Sequence, residues 1–175
     1  MYPIVRLIKE FIKFRNAPKL GLTDTHVSQH ICWPWDLDFY MELNNGRTLT
    51  IYDLSRIPLA GRMGLIKVLR DKGWGLAVAG ASVRYRRRVR AFQRIEIRSR
   101  CVCWDTRFVY LEQSMWLGDV CASHILIRSA VTDEGGIVPP SEIAKAMGVD
   151  PVSPPIPQWI AAWIAAEEER PWPPE

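Results

Sequence analysis

Apolar side chains at Ile4, Val5, Leu7, Ile8, Phe11, Ile12 and Phe14 recur at helical spacing with charges between them. The pattern predicts an amphipathic helix over residues 2–15. We read it as docked on the domain, its apolar stripe closing the core. A basic helix lying on a membrane surface is the other reading. Residues 25–33 alternate loosely and predict a first strand, stopped by Pro34. A polar and aromatic loop follows to Gly46, with Asn44 or Asn45 placed to cap a helix over 47–57. Pro58 marks a break or a second helix start, and helical spacing then continues through Leu69 to Gly73.

From residue 76 the period changes to two. Residues 76–90, 93–104, 107–117 and 119–132 predict four strands. Their short linkers, Ala91-Phe92, Asp105-Thr106 and Gly118-Asp119, require antiparallel hairpins, because a parallel crossover takes a dozen or more residues. The strand over 119–132 is apolar on both faces, so it should be central or covered on both sides. After a turn at 133–136 come a short helix opened by Pro140-Ser141, a Pro-rich extended run over 148–157 and a last helix over 158–169. A single long helix followed by a meander must bury its apolar face against the sheet. The expected organisation is one domain over 1–175. Its core spans about 20–134, with the N-terminal helix (1–19) and a Pro-rich C-terminal extension (135–175) added.

Composition changes this picture mainly through charge. The chain has 175 residues and a formal net charge of +4, which hides a strong asymmetry. Residues 84–100 hold eight Arg and one Glu, residues 1–20 are basic, and residues 133–175 are acidic. With period two, Arg84, Arg86, Arg88 and Arg90 share one strand face, and Arg94, Glu96, Arg98 and Arg100 share the matching face of the next strand. Tyr85 and Phe92 are the only aromatic residues in the run, too few for a nucleic-acid stacking platform, and no nucleic-acid partner is expected. No run of 18 apolar residues occurs, and charges interrupt the first 15 residues, which argues against a membrane span and a secretory signal. The four cysteines (Cys32, Cys101, Cys103, Cys121) form no CxxC pair, and only three His are present, so no metal site is expected. They read as small buried hydrophobes in a reducing, cytoplasmic setting, with Cys101 and Cys103 on one strand face.

Trp35-Asp36-Leu37-Asp38, then Leu43-Asn44-Asn45-Gly46-Arg47, then Tyr52-Asp53-Leu54-Ser55-Arg56 resemble the loop and helix start of hotdog-fold thioesterases. The nearest group is the 4-hydroxybenzoyl-CoA thioesterase-like acyl-CoA thioesterases. The resemblance covers residues 25–134 and departs from the family pattern twice. Glu42 stands where a His is usual, and Thr48 where an aromatic residue is usual. It implies an α+β hotdog fold: an antiparallel sheet of about five strands wrapped around a central helix, here with extra N- and C-terminal helices. It also implies a homodimer, or a dimer of dimers, with sites at the interface. The implied activity is hydrolysis of an acyl-CoA thioester, coenzyme A being part of the substrate and no further cofactor being needed. The alternative is a non-catalytic acyl-CoA or acyl-lipid binding protein on the same scaffold.

Carried over by position, Asp38 matches the acting carboxylate, as base or nucleophile, and the amides near Asn45 and Gly46 match the oxyanion donors. Glu42 is a candidate second carboxylate beside them. Arg84, Arg86 and Arg88 are candidates for the phosphates of coenzyme A. Asp36 reads as structural, Asp53 as the ion-pair partner of Arg56 or Arg47, and His124 as a packed strand histidine.

Overall fold

The computed structural model describes residues 2–171, 173 and 174. In chain order its elements are α1 (Ile4–Phe14), β1 (His26–Ile31), a 3-10 turn (Pro34–Asp36), α2 (Asn45–Arg62), α3 (Leu65–Lys72), β2 (Gly75–Tyr85), β3 (Arg94–Trp104), β4 (Val109–Leu117), β5 (Val120–Asp133), β6 (Gly136–Val138), α4 (Pro140–Met147) and α5 (Gln158–Glu169). The strands form one antiparallel sheet in the order β1-β3-β4-β5-β2, and β6 adds to the end of β5. This is the hotdog fold. The hairpin linkers act as expected, and β5 lies between β4 and β2 with helices against both of its faces.

The inner face of the sheet packs on α2. Ile51 and Tyr52 meet Ile95, Ile97, Met115, Ile125 and Ile127, all essentially inaccessible to water. The outer face is covered by α5, where Ile160 joins Cys103, Tyr110 and Leu126. Where no helix covers it, that outer face is charged. Arg98 donates to Glu96 (2.8 Å) and stacks on Trp116, and Arg100 donates to Glu112. Glu112 also meets His124 Nε2 at 2.8 Å; His124 first, then Arg100, holds its carboxyl down to about 2. His124 packs edge-on against Trp159 of α5.

Four expectations from the sequence are corrected. The helix does not break at Pro58: α2 runs through it to Arg62, because Leu54, Ser55, Pro58, Leu59 and Ala60 are all buried and tertiary packing outweighs one missing amide bond. The strand expected over 76–90 ends at Tyr85. There the amides of Arg86 and Arg87 both turn onto the single carbonyl of Ala122, and residues 86–93 leave the ladder. Arg84, Arg86, Arg88 and Arg90 therefore share no strand face. Cys101 and Cys103 are both buried but on opposite faces, because the register slips by one residue between them. Cys101 faces α2 and Cys103 faces α5.

The fourth correction concerns α1. Its apolar stripe does not close the core: Ile4, Val5, Ile8, Phe11 and Ile12 are exposed, while Arg6, Glu10 and Phe14 turn inward. The surface it meets is mixed: α1 lies against α2, with the Phe11 ring near Gly61, and against the polar side chains His26, Ser28 and His30 of β1. Phe14 stacks edge-on against His26, and Arg6 donates to Asp36 (2.8 Å) and to the carbonyl of Ile31 (3.1 Å).

Candidate active site

The loop between β1 and α2 is built on two aspartates with opposite surroundings. Asp36 is buried. Its Oδ2 accepts from the Trp33 amide (3.1 Å) and from Arg6 (2.8 Å), while Arg47 Nε stands 3.6 Å from its Oδ1. Its carbonyl also accepts from the Asn44 amide. Asp36 thus ties α1, the loop and the start of α2 together, as its structural reading expects. Asp38 is half-exposed and closes a tight turn: its Oδ1 accepts from the Tyr40 amide (2.9 Å), and its own amide donates to the Glu42 carbonyl (2.8 Å). The turn forces Met41 to a φ of 60°, and Phe39, Tyr40 and Met41 stand out at its tip. Oδ2 of Asp38 takes no part in the turn.

Asn44 caps α2, its Oδ1 accepting from the Arg47 amide at 3.2 Å. Among the described residues the amides of Asn45 and Gly46 have no acceptor, as expected for the first turn of a helix. Thr48 is buried and bonds back to the Asn44 carbonyl, so it fills the position of the usual aromatic residue with a self-satisfied hydroxyl.

The chain segment after β2 crosses in front of this loop, held by the Leu43 amide on the Val89 carbonyl (2.8 Å). Between them lies a cleft of about 310 Å³ bordered by Asp38, Glu42, Asn45, Arg86, Arg87 and Arg88. Glu42 Oε2 lies 3.0 Å from Arg88 Nε as an ion pair without hydrogen-bond alignment. Among the described residues Arg86 and Arg87 have no acidic partner. Tyr85 donates its hydroxyl to Asn45 Oδ1 across the cleft mouth. Ser123 forms part of the floor and bonds Tyr52, whose hydroxyl is pushed up by burial and stays neutral.

The structure therefore gathers Asp38, Glu42, Asn45, Arg86 and Arg88 in one cleft. It separates Arg84, which stays on β2, and Gly46, which borders a neighbouring recess with Tyr2 and Trp35. Arg87, Tyr85 and Ser123 were not foreseen as neighbours of Asp38. The period-two reading put Arg87 on the wrong face because it carried the strand five residues too far.

Behind the cleft, a polar seam crosses the interface between α2 and the sheet. Ser99 donates to Ser55 (2.8 Å), Gln113 Nε2 donates to Ser99 (2.7 Å) and to the Tyr52 carbonyl (2.9 Å), and Arg56 donates to Gln113 Oε1 (2.9 Å). Asp53 pairs with Arg56, and burial raises its carboxyl. Past the seam, toward the C-terminal half of α2, an apolar cavity of about 130 Å³ is lined by residues such as Leu59, Met63, Leu76, Leu111 and Ile143. A lone Gln on the apolar face of the strand around 113 was the one sequence signal for this seam.

A family profile described as the thioesterase-like superfamily matches residues 32–164. The chain is 34% identical to Protein THEM6 of Xenopus laevis over 157 residues, covering 87% of this chain and 74% of that one. It is 30% identical over 125 residues to the thioesterase lcsJ of Purpureocillium lilacinum, covering 55% and 40% of the two chains. Among solved structures, the probable thioesterase YbaW of Escherichia coli superposes with a TM-score of 0.66 at 17% identity, covering 70% of this chain and 96% of that one. A 1,4-dihydroxy-2-naphthoyl-CoA thioesterase from Synechocystis superposes with a TM-score of 0.60 at 8% identity, covering 71% and 95%.

Proposed function

The chain belongs to the thioesterase-like superfamily, and on that premise we propose that it hydrolyses an acyl-CoA thioester in the cleft beside Asp38. The observation that carries the proposal is the meeting, in one cleft, of Asp38, the start of α2 and the cations Arg86 and Arg87, which have no acidic partner among the described residues. A thioester carbonyl placed at the helix start develops negative charge on its oxygen during attack. The amide of Asn45, on the cleft side of the helix start, points out of the helix end, where the backbone dipoles favour that charge. With Asp38 Oδ1 engaged by the loop, Oδ2 takes the proton of the attacking water, or attacks the carbonyl carbon itself. In the first route the C–S bond then breaks, the proton passes to the departing thiolate, and a free acid and coenzyme A leave. Arg86, Arg87 and Arg88 face the phosphates of the substrate, and a second copy of the chain completes the site's surroundings.

Thiol release measured across short, long and aromatic acyl-CoAs tests this. Asp38→Asn should lower kcat by roughly 10²–10⁴-fold, the range for loss of a positioned base, with KM little changed. Full activity in that variant would remove Asp38 from the mechanism. The Glu42–Arg88 ion pair across the cleft favours a second reading, acyl-CoA binding without turnover. Calorimetric binding with no thiol release from any substrate would select it.

A further inference from the structure

Helix α1 is turned inside out relative to an ordinary surface helix. Ile4, Val5, Ile8, Phe11 and Ile12 occupy one arc of about 120° at 100° per residue, and all are exposed, Val5 by 81% and Ile12 by 68%. The opposite face is committed elsewhere: Arg6 is bound to Asp36, Glu10 is fully buried, and Phe14 lies on His26. Rolling the helix to bury its isoleucines would set them against His26, Ser28 and His30 and break the Arg6–Asp36 pair. The fold therefore holds the stripe outward.

What surrounds the stripe is basic. Lys9 and Lys13 flank it along the helix, Arg15 and Lys19 follow its C-terminal end, and all four are exposed. Lys9, Lys13, Arg6 and Arg94 also border one groove beside α1, where they outnumber Glu10 and Glu96. At the other end Tyr2 and the exposed Trp35 share a recess, as amphipathic rings do at a lipid–water boundary. A second copy docked on this stripe through a two-fold axis would bring the two sets of lysines near each other at a cost. An anionic bilayer instead takes the isoleucines among its acyl chains and the lysines at its headgroups.

We propose that α1 is a membrane-surface helix that lays the Ile4-Val5-Ile8-Phe11-Ile12 stripe onto an anionic lipid bilayer without crossing it. No helix among the described residues is long and apolar enough to span a membrane. The start of α2 borders the same recess as Tyr2 and Trp35, so a docked molecule would hold its cleft close to the lipid surface.

Flotation of the full chain with phosphatidylcholine vesicles, with and without phosphatidylglycerol, tests the proposal. The chain should float with the anionic vesicles, float far less with phosphatidylcholine alone, and lose binding as salt rises. Ile8→Asp/Ile12→Asp should reduce the bound fraction by about tenfold or more, with unchanged melting and unchanged thiol release from a soluble acyl-CoA. The milder Val5→Ser/Ile12→Ser should reduce it less, and Lys9→Gln/Lys13→Gln should abolish the preference for anionic lipid. Failure to float, or equal flotation of the aspartate and serine variants, overturns the proposal. So does a halved mass of the aspartate variant in light scattering, which would place a second copy on the stripe. The flotation, melting and light-scattering readouts do not depend on whether the cleft hydrolyses a thioester.

Discussion

Asp36 and Asp38 are two residues apart, yet one is sealed by Arg6, Arg47 and the Trp33 amide and the other opens to a cleft. Removing the first leaves the Arg6 guanidinium partly buried without its anion. Asp36→Ala should cost about 2–4 kcal/mol, toward the range for breaking a buried ion pair, as read by urea denaturation. The histidines of β1 act on stability through pH. Burial, with the Arg62 charge behind it, lowers His26 to about 4, and burial, with Arg6 behind it, lowers His30 to about 3. Arg62 donates to His26 Nδ1, which fixes that ring as neutral. Unfolded histidine takes up protons below 6.5, whereas the folded rings do so only near 4 and 3. Stability should be flat with pH above about 6.5 and fall as pH drops from there toward 3. Melting temperature followed across that range should decline less steeply in His26→Asn than in the native chain.

At the scale of elements, the helix period was legible and the direction of the helix face was not. Ile4, Ile8 and Ile12 announce an amphipathic helix, but which face turns inward depends on His26, Ser28 and His30, which belong to another element. Strand identity was legible from Ile95, Ile97, Ile125 and Ile127. The end of β2 at Tyr85 was hidden because alternation in the sequence continues through Val89 after the backbone has left the ladder. The slip between Cys101 and Cys103 is likewise a register event that side-chain alternation does not record. The cleft was legible where the loop motif supplied it, in Asp38, Glu42 and Asn45, while Arg87 and Ser123 arrive through tertiary folding. Glu10 follows from the inverted helix. It is buried, its carboxyl oxygens accept no hydrogen bond among the described residues, Lys9 stands 3.9 Å away as an ion pair, and burial raises its pKa against the nearby cations. A raised carboxyl destabilises once pH climbs above its unfolded value near 4.5 and through its folded one. Glu10→Gln should therefore raise the melting temperature at pH 7 and leave it nearly unchanged at pH 4, which a pair of calorimetric scans would show.

For the whole molecule, the open question is what lies along β2. This strand pairs with β5 on one side only, and from Gly75 to Val83 it carries no charge. Leu76, Val78 and Tyr85 are exposed along it. Natural edge strands are usually guarded by charge, proline or a covering element. Here a register slip between Val78 and Gly80 is the one irregularity. A second copy added antiparallel along β2 would satisfy the free backbone groups and cover the apolar side chains in one step. Arg86, Arg87 and Arg88 follow the last residue of β2 directly, so such pairing would set these cations of each copy close to the other. Light scattering at micromolar concentration should then give the mass of two chains, or of four. Leu76→Lys/Val78→Lys should reduce it to one, keep the far-ultraviolet spectrum of the fold, and raise the KM for acyl-CoA more than it lowers kcat. A native chain that scatters as a single copy, with rapid amide exchange along the outer edge of β2, would show that this edge stands bare in solution and that each cleft works with its own arginines alone.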